Sequence, residues 1–209
     1  DSDNRNSMSH LFSKLNIDLD YENFINSKLD IFLEKVSMDT YLKIFQDVLI
    51  TDKSLQEDIK DANTLTSGFK LALDHEEYNL TTGMTAYESL NISKNSDRFQ
   101  YVFPYYSFSK DLISDFKGTL AFSSSGNNRL SNTNNLKTII SNNLNFSSNN
   151  IYSENGYVHN YGIFLKNLNS VGKNDQKYKS SVQSEILNIY EINTKFPLIK
   201  EMNKNINYL

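Results

Sequence analysis

The sequence predicts an all-β fold: an antiparallel up-and-down meander forming part of a transmembrane β-barrel, with about nine or ten strands. Three observations predict it. Segments of about ten residues alternate apolar and polar side chains along the whole chain, as outer-membrane barrel strands do. The connections between these segments alternate between short and long. Hydrophobic residues make up only 38% of the 209 residues, which suits a sheet with a single apolar face better than a core buried on both sides.

The first strand is predicted over residues 11–20. A period of two puts Leu15, Ile17 and Leu19 on one face and Asn16, Asp18 and Asp20 on the other. A brief turn over 21–27 leads to the second strand, 28–36. A long polar connection, 37–63, follows. Within it Tyr41, Ile44, Phe45 and Val48 are spaced like one helical face, which reads as a small loop helix or, alternatively, a partner-binding helix. The third strand, 65–74, sets Leu65, Phe69, Leu71 and Leu73 against Thr66, Lys70 and Asp74. The tight connection His75-Glu76-Glu77 joins it to the fourth, 78–88, whose apolar face is Tyr78, Leu80, Met84 and Ala86.

After a medium loop over 89–97, the fifth strand, 99–108, is aromatic on both parities. Phe99, Tyr101, Phe103 and Tyr105 oppose Val102, Tyr106 and Phe108. Pro104 cannot donate to a ladder, which predicts a bulge or locally open pairing. A short turn over 110–115 precedes the sixth strand, 116–123, with Phe116, Leu120 and Phe122 on one face. Ser124-Ser125-Gly126-Asn127-Asn128 then reads as the start of a long polar loop ending near Asn134. Strand seven is predicted over 136–146, strand eight over 157–168, a polar loop over 169–179, strand nine over 180–194, and a tenth element from near Phe196.

The connections therefore read short, long, short, medium, short, long, medium, long. Outer-membrane barrels carry tight periplasmic turns at one end and longer external loops at the other, whereas soluble sandwiches cross between sheets. On that basis the tight turns belong to the periplasm and the long Asn-rich loops to the outside. The strand lengths fit the roughly nine to eleven residues that a tilted strand needs to cross a bilayer. Charge is expected to avoid the apolar parity of strands one to three, with Lys28, Asp30, Glu34, Lys70 and Asp74 all on the other. Lys or Arg at the lipid midplane would cost about 2–4 kcal/mol, though a half-buried soluble sheet would segregate charge as well. Tyr78, Phe99, Tyr101, Tyr157 and Phe196 fall near predicted strand ends. Either an interfacial girdle or the ordinary β-propensity of aromatics accounts for them.

Composition narrows the function classes. There are 13 Tyr, 13 Phe and no Trp, and with only 2 Pro and 7 Gly the turns must use Asn, Asp and Ser. Asn is roughly one residue in seven, above ordinary usage, as AT-rich coding would give. The absence of Cys removes disulfide and thiolate chemistry. A net charge of -4 argues against a nucleic-acid partner. No run of 18 apolar residues predicts a transmembrane helix, and no signal peptide is recognisable. The chain starts without Met and ends in strand-like sequence, so 1–209 reads as one internal segment of a barrel domain.

No catalytic, metal or cofactor site is predicted. His10, His75 and His159 lack metal-ligand spacing. Asp18 and Asp20 are read as a solvated lumen face. Ser123-Ser124-Ser125-Gly126 lacks a nucleophile-elbow context. The sequons at Asn79, Asn91 and Asn145 are expected by chance in so Asn- and Ser-rich a chain.

Several segments taken in order resemble a known family. The passage from Lys28 through Val36-Ser37-Met38-Asp39-Thr40-Tyr41-Leu42 is similar to a strand ending in a V-S-D-x-[ST]-Y-[LF] corner. Arg98-Phe99-Gln100-Tyr101-Val102-Phe103-Pro104-Tyr105-Tyr106-Ser107-Phe108 resembles an aromatic strand with a P-x-[YL]-x-[YF] core. The stretches 124–135 and 167–178 resemble that family's loops in AT-rich marine alphaproteobacteria. The family is that of the lipopolysaccharide-assembly outer-membrane protein LptD, also called organic solvent tolerance protein. The resemblance runs from about Ser9 to the end. It implies a Gram-negative outer-membrane location and insertion of lipopolysaccharide into the outer leaflet. The implied partners are lipopolysaccharide, outer-membrane lipid, an LptE-like plug lipoprotein, and a periplasmic bridge protein reached through an N-terminal domain lying before this segment. The family's gate strands and disulfide cysteines have no counterpart here, so no gate or catalytic residue is assigned.

Two alternatives stay open. A generic porin or receptor barrel would need an inward-folded, charged loop, for which the 37–63 connection offers Asp47, Asp52, Lys53, Glu57, Asp58, Lys60 and Asp61. A soluble all-β adhesin or carbohydrate-binding module is the other. No enzyme is expected.

Overall fold

The computed structural model describes residues 8–45, 63–92, 98–112, 118–132, 134–196, 200–201 and 207–208. Among the described residues the chain is all-β apart from one short helix. Its elements are β1 (His10–Asp18), β2 (Asn26–Val36), α1 (Tyr41–Ile44), β3 (Thr64–Asp74), β4 (Tyr78–Ser89), β5 (Phe99–Leu112), β6 (Gly118–Ser131), β7 (Asn135–Ser148), β8 (Ile151–Tyr152), β9 (Val158–Lys173) and β10 (Gln183–Lys195). They form one antiparallel ten-stranded sheet in the order β1-β2-β3-β4-β5-β6-β7-β9-β10, with β8 pairing β9 off this path. The sheet is open, with β1 and β10 at its edges. Two further strands, β11 (Lys200–Glu201) and β12 (Asn207–Tyr208), pair only with each other. They stand where a tenth element was expected.

The predicted strands are found, several of them longer than expected. β5 runs on to Leu112 through the beginning of the expected turn at 110–115. β6 is described from Gly118, the expected start at 116 lying outside the described residues, and it continues to Ser131, so the long polar loop expected from Ser124 is strand. β9 extends to Lys173 through the first part of another expected loop. In all these places polar residues carry the strand, because the backbone ladder satisfies their main chain and their side chains bond across it.

The loop rhythm is corrected in consequence. Connections 19–25, 75–77, 113–117 and 149–157 lie at one end of the sheet, and 37–63, 90–98, 132–134 and 174–182 at the other. We call these the lower and upper ends. The tight turn 132–134 is at the upper end and the longer 149–157 at the lower. Asymmetry between the ends therefore rests on the 37–63 connection.

Pro104 lies in a bulge of β5, as expected. Against β4, Gly83 pairs Tyr105 and Thr85 pairs Val102, and against β6 the register shifts between the same two β5 residues. One extra residue of β5 is thus unpaired with both neighbours, and the Phe103–Pro104 peptide bond is cis. An extra residue inverts strand parity. Phe99 and Tyr101 are thereby returned to the face that carries Tyr106 and Phe108. Strand five was expected to be aromatic on both faces. It is, but the bulge re-sorts the residues: these four rings share one face, and Tyr105 and Val102 lie on the other.

Among the described residues there is almost no core. Among the described residues the buried hydrophobic side chains are Tyr41, Leu42, Leu65, Leu90 and Val102. Four of these form one cluster at the upper end. Elsewhere the sheet is a single layer.

Candidate functional site: the two faces of the sheet

Register sorts every long strand into two faces, since residues paired across strands share a side. One face carries Leu11, Leu15 and Ile17 of β1, opposite Lys35, Ile31 and Leu29 of β2. It continues through Phe69, Leu71 and Leu73 of β3 and Leu80 and Met84 of β4. On β5 to β7 it carries Tyr106, Phe108, Leu120, Phe122, Ile140, Leu144 and Phe146. On β9 and β10 it carries Ile163, Leu165, Ile186, Tyr190 and Ile192. The other face carries Lys14, Asp18, Lys28, Asp30, Lys70, Asp74, Asp111, Arg129, Lys137, Lys166, Glu185 and Glu191.

The expected segregation of charge thus extends across the whole sheet, with one qualification. By register the apolar face does carry Lys35, Glu88, Lys110 and Lys173. Each lies in the last three positions of its strand. The expectation that strands one to three keep that face free of charge fails at Lys35, because a strand end lies near water and tolerates a flexible cation.

The apolar face is uncovered. Leu11, Leu15, Ile31, Leu33, Phe69, Tyr161, Ile163, Leu165, Ile186, Tyr190 and Ile192 are all exposed. Its rings gather toward the lower end. Tyr78 lies 6.0 Å from Phe108, which lies 6.2 Å from Phe122, and Phe146 lies 5.6 Å from Tyr161. Tyr157 and Phe196, just outside β9 and β10, touch with centroids 4.8 Å apart. The expected end-located aromatics are therefore at strand ends: Tyr78, Tyr157 and Phe196 at the lower, Phe99 and Tyr101 at the upper.

A polar ladder crosses the middle of this face. The Tyr106 hydroxyl and Ser124 Oγ are 3.1 Å apart, and Ser124 donates to Asn142 Oδ1 at 2.7 Å. Asn142 Nδ2 donates to Asn167 Oδ1 at 3.4 Å, and Asn167 Nδ2 donates to Ser184 Oγ at 3.0 Å. Five strands, β5 to β7, β9 and β10, are joined by side chains alone. Each amide finds a partner inside the ladder, which removes most of the cost of placing it on an apolar surface.

On the polar face Asp18 is paired opposite Lys28, and Asp30 opposite Lys70. Asn16 Nδ2 donates to Asp30 Oδ1 at 2.6 Å. Asp18 and Asp20 line an open pocket of about 400 Å³ together with Lys28. Asp20 lies in the turn with φ 53°, so the two carboxylates do not form a strand pair. At the upper end the Arg98 side chain, 4% exposed, binds two carboxylates: Nη2 is 2.8 Å from Asp39 Oδ1 and Nε 2.7 Å from Glu88 Oε1. The second contact is an ion pair whose N–H does not point along the line of a hydrogen bond, and Nη1 is buried with no hydrogen-bond partner. The hydrogen bond to Asp39 and the charges of both carboxylates raise the guanidinium pKa against the opposing effect of burial. Sequence reading did not single out Arg98. A lone Arg before an aromatic strand carries no pattern, and its partners come from two places, Asp39 in the 37–63 connection and Glu88 near the end of β4.

The histidines are dispersed. His10 Nδ1 is 2.6 Å from the Tyr41 hydroxyl, His75 stacks on Tyr78, and His159 contacts Thr194. Among the described residues no group of three or more His, Asp or Glu is arranged to hold a metal. Ser123 accepts from Asn143 Nδ2. Asn79 and Asn145 are exposed strand residues, and Asn91 accepts from Lys43 Nζ at 2.9 Å. The charged residues expected at 47–61 lie outside the described residues. No helix among the described residues is long and apolar enough to cross a membrane. Compared with known proteins, the chain matches no family model and no curated sequence.

Proposed function

We propose that this chain is a segment of the wall of an outer-membrane β-barrel, with its apolar face against lipid and its polar face lining an aqueous interior. One observation carries the reading: a single-layer antiparallel sheet with an uncovered apolar face and mid-strand charge confined to the other side. An apolar surface of this extent marks contact with a membrane or another protein. The lower-end aromatics and the end-located Lys35, Glu88, Lys110 and Lys173 fit a band of lipid bounded by two interfaces. A soluble sandwich would need a second layer on the apolar face, and no described element lies there.

The resemblance to the LptD family makes lipopolysaccharide insertion the activity we assign to the whole barrel, with an LptE-like lipoprotein and a periplasmic bridge protein as partners. The role of this segment is passive. Its polar face offers hydroxyls, amides and charges to the lipid's sugars, and its apolar face anchors the wall. A porin or receptor barrel is the second reading, favoured by α1, which folds back from the 37–63 connection to pack Tyr41 and Leu42 against Leu65 and Leu90 at the upper end. Depletion of the full-length product separates the two. Loss of lipopolysaccharide from the cell surface supports the first, and intact surface lipopolysaccharide with reduced uptake of small solutes supports the second. Recovery of the full-length product only in the soluble fraction would sink both.

A further inference from the structure

We propose that an open pocket at the upper end of the polar face, where Tyr87, Gln100 and Ser131 stand in a row beside Arg98, binds a neutral sugar ring. The site stands on the pocket alone; that its sugar is carried by a lipid rests on the reading above.

Register builds the row. Tyr87 of β4 is opposite Gln100 of β5, and Gln100 is opposite Ser131 of β6. Ser89, paired with Thr64, lies two positions further up β4. All share the face that carries Lys70 and Asp74. Strands lie about 5 Å apart, so groups from three of them can meet one ring. They line a pocket of about 420 Å³, within the roughly 300–1,000 Å³ of small-molecule sites.

These groups are open to a ligand. Three hydroxyls and one carboxamide converge here, and among the described residues none of these four side chains has a hydrogen-bond partner. Arg98 lines the same pocket with its side chain 4% exposed, and its Nη1 is buried without an acceptor. Leaving such a donor unmet is costly, and a ligand hydroxyl seated against it would supply the acceptor.

The chemistry favours a neutral ligand. Arg98 is the charged residue of this lining, and it already faces Asp39 at 2.8 Å and Glu88 at 2.7 Å. The pocket therefore does not offer an unmatched cation to an anion. Phe99 adds an apolar wall. Apolar contact with a few convergent polar groups is how small-molecule pockets hold and orient a ligand. A sugar ring, with hydroxyls at its edge and C–H groups on its faces, matches both.

The test titrates the isotope-labelled full chain in detergent micelles. The probes are N-acetylglucosamine, D-galactose, a dephosphorylated lipopolysaccharide core oligosaccharide and inorganic phosphate. NMR follows the Gln100 side-chain amide and the backbone amides of Tyr87, Ser89 and Ser131. Saturable shifts with a sugar and none with phosphate are expected. Gln100→Ala and Ser131→Ala should each weaken binding about tenfold. Ser125→Ala, on the same face but outside the pocket, should not. Tighter binding of the core oligosaccharide than of the free sugars assigns the ring to a lipid, and equal or weaker binding assigns it to a free saccharide. Should Gln100→Ala fail to fold, Ser131→Ala decides. No saturable shift with any sugar, tighter binding of phosphate, or unchanged affinity in the folded pocket variants would overturn the site. Sugar binding by a full-length product found only in the soluble fraction would sink the barrel reading and leave the site standing.

Discussion

Asp175 illustrates how single residues fix the turns of this Gly-poor chain. Its carboxylate accepts the backbone N–H groups of Lys177 at 2.8 Å and Tyr178 at 3.0 Å. These two bonds hold its pKa below the ordinary value of 3.8. A depressed carboxylate stabilises the turn above its unfolded pKa, and the effect is lost as pH falls through the lower, folded value. Protection factors of the Lys177 and Tyr178 amides should therefore hold near neutrality and drop below about pH 4; Asp175→Ala should abolish that dependence. Glycine acts through space rather than charge. A Cβ on Gly83 would meet the Phe69 carbonyl and the Tyr105 ring across the sheet. Gly83→Ala should thus cost about 1–3 kcal/mol by overpacking, measured by urea unfolding in lipid vesicles. An unchanged midpoint would show that the sheet can open there. The chain's alternation made the side of most strand residues legible. It could not reveal Arg98, whose partners Asp39, in the 37–63 connection, and Glu88, near the end of β4, meet it only once the upper end is folded.

At the scale of elements, strand positions were legible wherever apolar residues alternate, and strand ends were not. Ser124 to Ser131 has the composition of a turn, yet it is the second half of β6. Local composition cannot show that Ser124 and Asn142 will stand side by side on neighbouring strands. The cross-strand ladder turns those residues from turn formers into sheet formers. Asn142 bonds both sides of it, so Asn142→Ala should cost about 1–3 kcal/mol by leaving Ser124 and Asn167 short of a partner. Asn143→Ala on the polar face should cost less, because water can replace its bond to Ser123. Equal costs in vesicle unfolding would mean that both faces are wet. The bulge at Pro104 was legible from its missing N–H. Its consequence, the change of parity that collects Phe99, Tyr101, Tyr106 and Phe108 on one side, follows only once the register on both neighbouring strands is known.

At the scale of the whole molecule, an antiparallel meander with one apolar and one polar face was readable from period-two alternation. The short-long loop rhythm was less so. The tight turn at 132–134 and the longer connection at 149–157 break it, because loop boundaries inherit every error in strand ends. What remains is a wall with uncovered apolar residues from β1 to β10 and charge behind it. Ile31→Lys, in the middle of that face, should destabilise the membrane-inserted form by about 2–4 kcal/mol, whereas Lys70→Ala on the reverse should change it little. The chain has no native Cys, so single cysteines can be placed freely along β2 and β9. The most direct test attaches a fluorophore in turn to each position of 28–34 and 162–168 in the membrane-inserted chain and measures quenching by nitroxide-labelled lipid. The barrel wall predicts strong quenching at Leu29, Ile31, Leu33, Ile163 and Leu165 and weak quenching at Asp30, Phe32, Phe164 and Lys166. Equal quenching at adjacent positions, or none at either parity, would contradict it.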